Sequence, residues 1–97
     1  MASNLGTATI DFGTGAGKNE VDLVVTGQTS ISATSSVEVY IMGSDTTAQH
    51  TASDHRYIGL FATFTGGDIV AATSFTIYAR ATFKVTGTFK VRWVWSD

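Results

Sequence analysis

The sequence has no cysteine and no proline, and only 14% of its residues are charged. Without cysteine there is neither a disulfide nor a thiolate metal site. Without proline, no residue is barred from donating its backbone N–H to a sheet ladder. Scarce charge means that Ser, Thr and Gly must clothe the surface, and that solubility is not secured by charge repulsion. The net charge of −2 is too small to predict a nucleic-acid or membrane partner. No apolar run approaches the length of a membrane span. The first residues, Met1-Ala-Ser-Asn4, show neither a basic run nor a signal-type apolar core, so a protein made in a cytoplasm is expected.

What is present is β pattern. From Phe75 to Trp95 the odd positions are Phe75, Ile77, Ala79, Ala81, Phe83, Val85, Gly87, Phe89, Val91, Trp93 and Trp95. The even positions are mostly polar or basic, and no helical period fits this alternation. One straight strand of that length would run roughly 70 Å at about 3.3 Å per residue. A domain this small is only about 25–35 Å across, so the stretch must fold back. Thr86-Gly87-Thr88 is the best turn, and a three-residue loop keeps odd positions beside odd ones. A hairpin of about Ser74–Val85 with Phe89–Trp95 is therefore expected; a turn nearer Thr82–Lys84 is the alternative.

Upstream, Leu5–Phe12 and Asn19–Thr26 read as strands, the latter with Val21, Leu23 and Val25 inward. Gly13-Thr-Gly-Ala-Gly17 resembles a phosphate loop only superficially. A phosphate cradle needs a helix behind its glycines, and an alternating strand resumes at once. Gly27–Ser35 is a polar connection in which Ile31 and Ala33 form a short strand or plug the core. Ser36–Met42 is a third strand, whose Tyr40 and Met42 are too apolar for a plainly solvated face. Gly43–His55 is a long polar segment, with Thr51 to Asp54 a plausible helix cap. Arg56–Thr65 reads as a strand, central or at an interface, Gly66-Gly-Asp68 as a turn, and Ile69–Ala72 as a short strand or connector.

With 97 residues, a single domain spanning 1–97 is expected. The fold expected is all-β: an antiparallel β-sandwich, jelly-roll-like in one version, of six to eight short strands with no substantial helix. A closed barrel is second. So small a chain, without disulfides and with few edge charges, favours edges covered by other subunits.

Candidate chemistry centres on the polar segment. His50 and His55, with Asp45 and Asp54 near in sequence, could ligate a divalent metal. Their spacing in a loop does not fix them on one face, so a loop-holding hydrogen-bond role is favoured and no metal site is assigned. Asp11, Glu20, Asp22 and Glu38 fall at outward strand positions rather than as a catalytic pair. Trp93, Trp95 and Tyr57 could stack against sugars, but the parity of the tryptophans favours the core. Lys84, Lys90 and Arg92 would share a solvated strand face. No catalytic, cofactor or metal residue is assigned, and no enzyme is expected.

Several segments together resemble a known group. Ala8–Gly13, Val25–Gln28, Thr47-Ala-Gln-His-Thr-Ala-Ser-Asp-His55, Phe75–Ala79 and Thr86–Trp95 occur in the order found in small virion-associated β proteins of tailed bacteriophages and prophages. The chain departs from that pattern at Gln49, where the group has Asp, and at Ser53-Asp54, where it has Asp-Glu. Both changes thin the carboxylates around the histidines. The resemblance implies a virion structural protein. The first expectation is a capsid decoration (cement) protein, a homo-oligomer with a trimer favoured, seated on the major capsid protein. The alternative is a tail-fibre or tail-tip module that binds host glycan. Neither implies nucleic acid, membrane or cofactor.

Overall fold

A computed structural model describes residues 2–97. Six strands form: β1 (Ser3–Asp11), β2 (Lys18–Val25), β3 (Ser36–Ile41), β4 (Ala62–Val70), β5 (Ser74–Val85) and β6 (Thr88–Ser96). One short helix, α1 (Ala52–Ile58), lies between β3 and β4. All pairings are antiparallel, in the order β1-β6-β3-β4-β5-β2. This is the all-β, antiparallel, helix-poor domain that the alternation predicts.

The sheet curls. β3 and β4 share a single registered pair, Glu38 with Thr65. The remaining pairing gathers β1-β6-β3 into one half and β4-β5-β2 into the other. The halves face one another: the rings of Phe75 on β5 and Trp93 on β6 meet edge to face at 5.2 Å, although these strands are not ladder neighbours. Between them lie Ile10, Phe12, Ile31, Phe75, Ile77, Phe89, Val91 and Trp95, all nearly inaccessible. At about 25 cal/mol per Å² of apolar surface, this shared core supplies most of the driving force.

The expected hairpin of β5 with β6 is not formed, although the parity behind it holds. β5 is already flanked by β4 and β2, and β6 by β1 and β3, so neither has a free side for the other. Thr86-Gly87 instead carries the chain from one half to the other. The turn is tied to the corner between β1 and β2: Phe12 N–H donates to Gly87 O and Gly87 N–H to Gly13 O, both at 2.8 Å. Odd residues Phe75–Ala79 and Val85 of β5 and Phe89–Trp95 of β6 are buried because the strands approach one core from opposite sides.

Two further segments differ from expectation. Arg56–Ile58 belongs to α1, and the strand begins only at Ala62. The Thr51 cap, expected as plausible, is real and wins locally over the alternating pattern of Arg56–Thr65. Gly66-Gly67-Asp68 is not a turn but part of β4, with an irregular register between Gly67 and Val70 and Asp68 at φ 47°. The chain reverses at Ala71–Thr73, so the true hairpin joins β4 to β5.

β5 also carries a large bulge. Against β2, Lys18 pairs with Val85 but Glu20 pairs with Arg80, so Ala81–Lys84 has no register partners there, while Ala81 still pairs with Ala62 on β4. Parity fails here: Phe83, expected on the apolar face, is 50% exposed.

Candidate functional site

The bulge and α1 meet on one side of the molecule. α1 starts where Thr51 Oγ1 accepts the Asp54 N–H at 3.2 Å and Asp54 Oδ2 accepts the Thr51 N–H at 3.3 Å. This reciprocal cap satisfies two N–H groups that a helix start would otherwise leave open. It also fixes the rotation of a helix of seven residues. The inner face then presents His55 and Ile58, both buried, to the sheet. The outer face presents Tyr57, 62% exposed, and the following turn presents Leu60, 74% exposed.

The two histidines have different roles. His55 is fully buried. Its Nδ1 lies 2.8 Å from Thr51 O, and its Nε2 accepts the Lys90 N–H at 3.0 Å. The second bond assigns the tautomer with the proton on Nδ1, and both nitrogens are then used. His50 lies at the surface, stacked on Phe89 with ring centroids 4.0 Å apart. Its Nε2 donates to Thr86 O at 2.6 Å and its Nδ1 lies 3.2 Å from Asp54 Oδ2. The His50 hydrogen bond, then the Thr51 N–H, hold the Asp54 carboxyl below its ordinary range. A His–Asp pair can orient a general base. Here the nitrogen that would take a proton already donates to a carbonyl, so the pair acts as a latch between α1 and the β5–β6 crossover.

Beside the latch runs a groove of about 300 Å³, lined by His50, Asp54, Tyr57, Ile58, Phe61, Phe83, Val85 and Phe89. Its outer wall is a row of three rings. Tyr57 and Phe61 have centroids 5.1 Å apart at 46°, and Phe61 and Phe83 5.2 Å apart at 62°. The bulge is tied to the helix side by Thr82 N–H donating to Phe61 O at 2.9 Å. A second notch, of about 380 Å³, lies on the other side of His50 between Gly13–Gly15 and Gly87.

The structure thus brings His50 and Asp54 together but seats His55 in the core. Among the described residues no three His, Asp or Glu side chains converge as a metal site. Trp93 and Trp95 are 6% and 1% exposed, so of the three proposed stacking residues only Tyr57 faces solvent. Lys90 and Arg92 share the half-exposed face of β6, whereas Lys84 lies on the β5 bulge in the other half, so the three do not form one strand face. Asp11 accepts the Gly13 N–H at 2.7 Å, and Arg80 pairs with Asp22 at 2.8 Å and with Glu20 at 3.9 Å. Phe61 and Phe83 were not singled out by sequence, because each fitted a strand pattern that the helix and the bulge interrupt. Comparison with family models, with curated proteins and with solved structures found no match.

Proposed function

We propose that the chain is a structural protein of a tailed-bacteriophage particle. In this reading it is a capsid decoration protein, made in the host cytoplasm, that binds the major capsid protein as a homo-oligomer, with a trimer favoured. The observation that carries the proposal is the row of exposed Tyr57 and Phe83 with half-buried Phe61, with Leu60 also exposed in the turn after α1. Rings grouped along one groove fit a protein partner better than water. The sheet adds two outer strand edges, on β1 and β2, and such edges are commonly covered by a neighbouring chain. The resemblance at Thr47–His55 and Thr86–Trp95 supplies the virion context.

The mechanism is mechanical. A protein that binds only the assembled shell stabilises it by linkage, by about 2.7 kcal/mol per site at a hundred times the dissociation constant. No bond is made or broken.

A second reading, a tail-fibre or tail-tip glycan-binding module, draws on the same rings, since Tyr57, Phe61 and Phe83 could stack against sugar. It loses both tryptophans, which are core residues. The deciding experiment incubates purified protein with capsids lacking it and with whole host cells, and records its mass in solution. Stoichiometric binding to shells, with a rise in their melting temperature and an oligomeric mass, is expected. Binding to cells alone would transfer the protein to the tail, and binding to neither would overturn both readings.

A further inference from the structure

We infer that Asp54, Tyr57, Phe61 and Phe83 form an open-sided aromatic cage that takes a basic side chain, arginine or lysine, of a partner protein. The inference does not depend on the virion reading, because it concerns the chemistry of the groove and not the partner's identity.

Three observations converge. First, the rings of Tyr57, Phe61 and Phe83 follow one another at 5.1 and 5.2 Å and are tilted rather than stacked in parallel, so they wall one groove. An aromatic face carries a negative quadrupole and attracts a cation within about 6 Å of the ring centre. Second, a carboxylate stands in the same groove. Asp54 uses Oδ2 for His50 and for the Thr51 N–H, while Oδ1 has no hydrogen-bond partner among the described residues. Rings and an anion together select for positive charge, where rings alone would accept any apolar group.

Third, no lysine or arginine of the described residues lines the groove. Arg56, on the same helix, donates to Gly43 O at 2.7 Å. Arg80 lies over the Tyr78 ring at 5.4 Å and pairs with Asp22. His50 shares the groove, but its ring is stacked on Phe89 and its nitrogens face Thr86 O and Asp54. A neutral sugar finds less here, because both His50 nitrogens and Asp54 Oδ2 are already engaged.

The cage is built by the two features that break the strand pattern. The Thr51 cap starts a helix that turns Tyr57 outward, and the β5 excursion over Ala81–Lys84 brings Phe83 against Phe61.

The test is an NMR titration of the isotopically labelled full chain with N-acetyl-arginine amide and, in parallel, N-acetyl-citrulline amide. Citrulline has nearly the shape of arginine but no charge. The expected result is saturable shifts confined to residues 54–61 and 81–85 with the arginine compound, and markedly weaker ones with citrulline. Asp54→Asn, which removes the charge and keeps the shape, and Phe83→Leu, which keeps the groove apolar, should each weaken arginine binding by about two- to thirty-fold. Equal shifts from both compounds would make the groove a plain apolar contact and overturn the proposal. So would the absence of saturable shifts, or arginine binding unchanged in Asp54→Asn. Should Phe83→Leu fail to fold, Asp54→Asn and the citrulline comparison decide the matter on their own.

Discussion

The Nε2 atom of His55, on the helix, accepts the backbone N–H of Lys90, the third residue of β6, at 3.0 Å. Where the pairing with β3 runs out past Ile41, Lys90 O still accepts the Met42 N–H at 3.1 Å, and the Lys90 N–H takes a side chain as its partner. Removing the ring strands a buried donor and opens a cavity. His55→Ala should cost about 3 kcal/mol, since an unsatisfied buried N–H alone costs about 1–3 kcal/mol. For a chain of this size that lowers the melting temperature by roughly 12–24 °C. His55→Leu fills the volume but not the hydrogen bond and should recover part of the loss. Equal melting of His55→Leu and the native chain would show that the Lys90 bond contributes nothing.

Gly87 offers a test of the crossover between the sheet halves. Its φ is +84°, and an added Cβ would stand 2.8 Å from His50 Nε2 and 2.9 Å from Gln49 Cβ. Gly87→Ala should therefore combine left-handed strain of about 1–2 kcal/mol with displacement of His50 from Thr86. Gly15 is a matched control, at φ +70° with nothing within 4 Å of its Cβ site. Gly15→Ala should show the strain alone. Urea unfolding of the two variants, read at the same pH, gives the difference. If Gly15→Ala costs as much as Gly87→Ala, the packing of Gln49 and His50 over the crossover is not a stabilising feature.

The strands and the core were legible because burial follows period two, and Phe75, Ile77, Phe89, Val91 and Trp95 sit where alternation puts them. Their pairing was not legible. A short loop with glycine looks the same whether it closes a hairpin or crosses between facing layers, since both arrangements keep odd residues inward. Phe83 misled for a related reason: alternation is blind to a bulge, which is set by the partner strand. At Arg56–Ile58 the cap signal at Thr51 and Asp54 competed with an alternating pattern, and the helix won because it buries His55 and Ile58 together. The candidate site lies where these local rules conflict, which is why only Asp54, His50 and Tyr57 could be named in advance.

Gln28 is the polar centre of the opposite end of the core. Its Oε1 accepts from Trp95 Nε1 at 2.9 Å and from Asn4 Nδ2 at 3.0 Å, and its Nε2 donates to Thr26 O at 3.0 Å. It is 6% exposed, so water cannot easily replace it. Gln28→Leu would leave the Trp95 indole N–H without an acceptor, at a cost of about 1–3 kcal/mol. Fluorescence-monitored urea unfolding should show a lower midpoint and an unchanged slope. A changed slope would instead mean that the unfolded or native state itself had altered in compactness.

Acid stability should depend on two carboxylates held by different kinds of donor. Asp97 is lowered first by the Ser35 hydroxyl, at 2.7 Å, and by the Ala2 N–H and Ser32. Asp54 is lowered first by His50. Both shift down from an ordinary value of 3.8. The unfolded chain therefore binds protons more readily than the folded one, and stability drops as the pH is lowered through this window. The contribution is fully present well above 3.8 and is lost as pH drops through the lower folded values. Asp54→Asn and Asp97→Asn should each flatten the acid limb of a stability-versus-pH curve, modestly, because both groups are solvated. Salt separates them. With the His50 ring protonated, the His50–Asp54 contact is an ion pair and should shrink as ionic strength rises. The Asp97 contribution comes mainly from neutral hydroxyl and amide donors and should persist. Equal salt sensitivity of the two variants would remove the ionic account of the latch and leave His50 bound to the crossover through Thr86 alone.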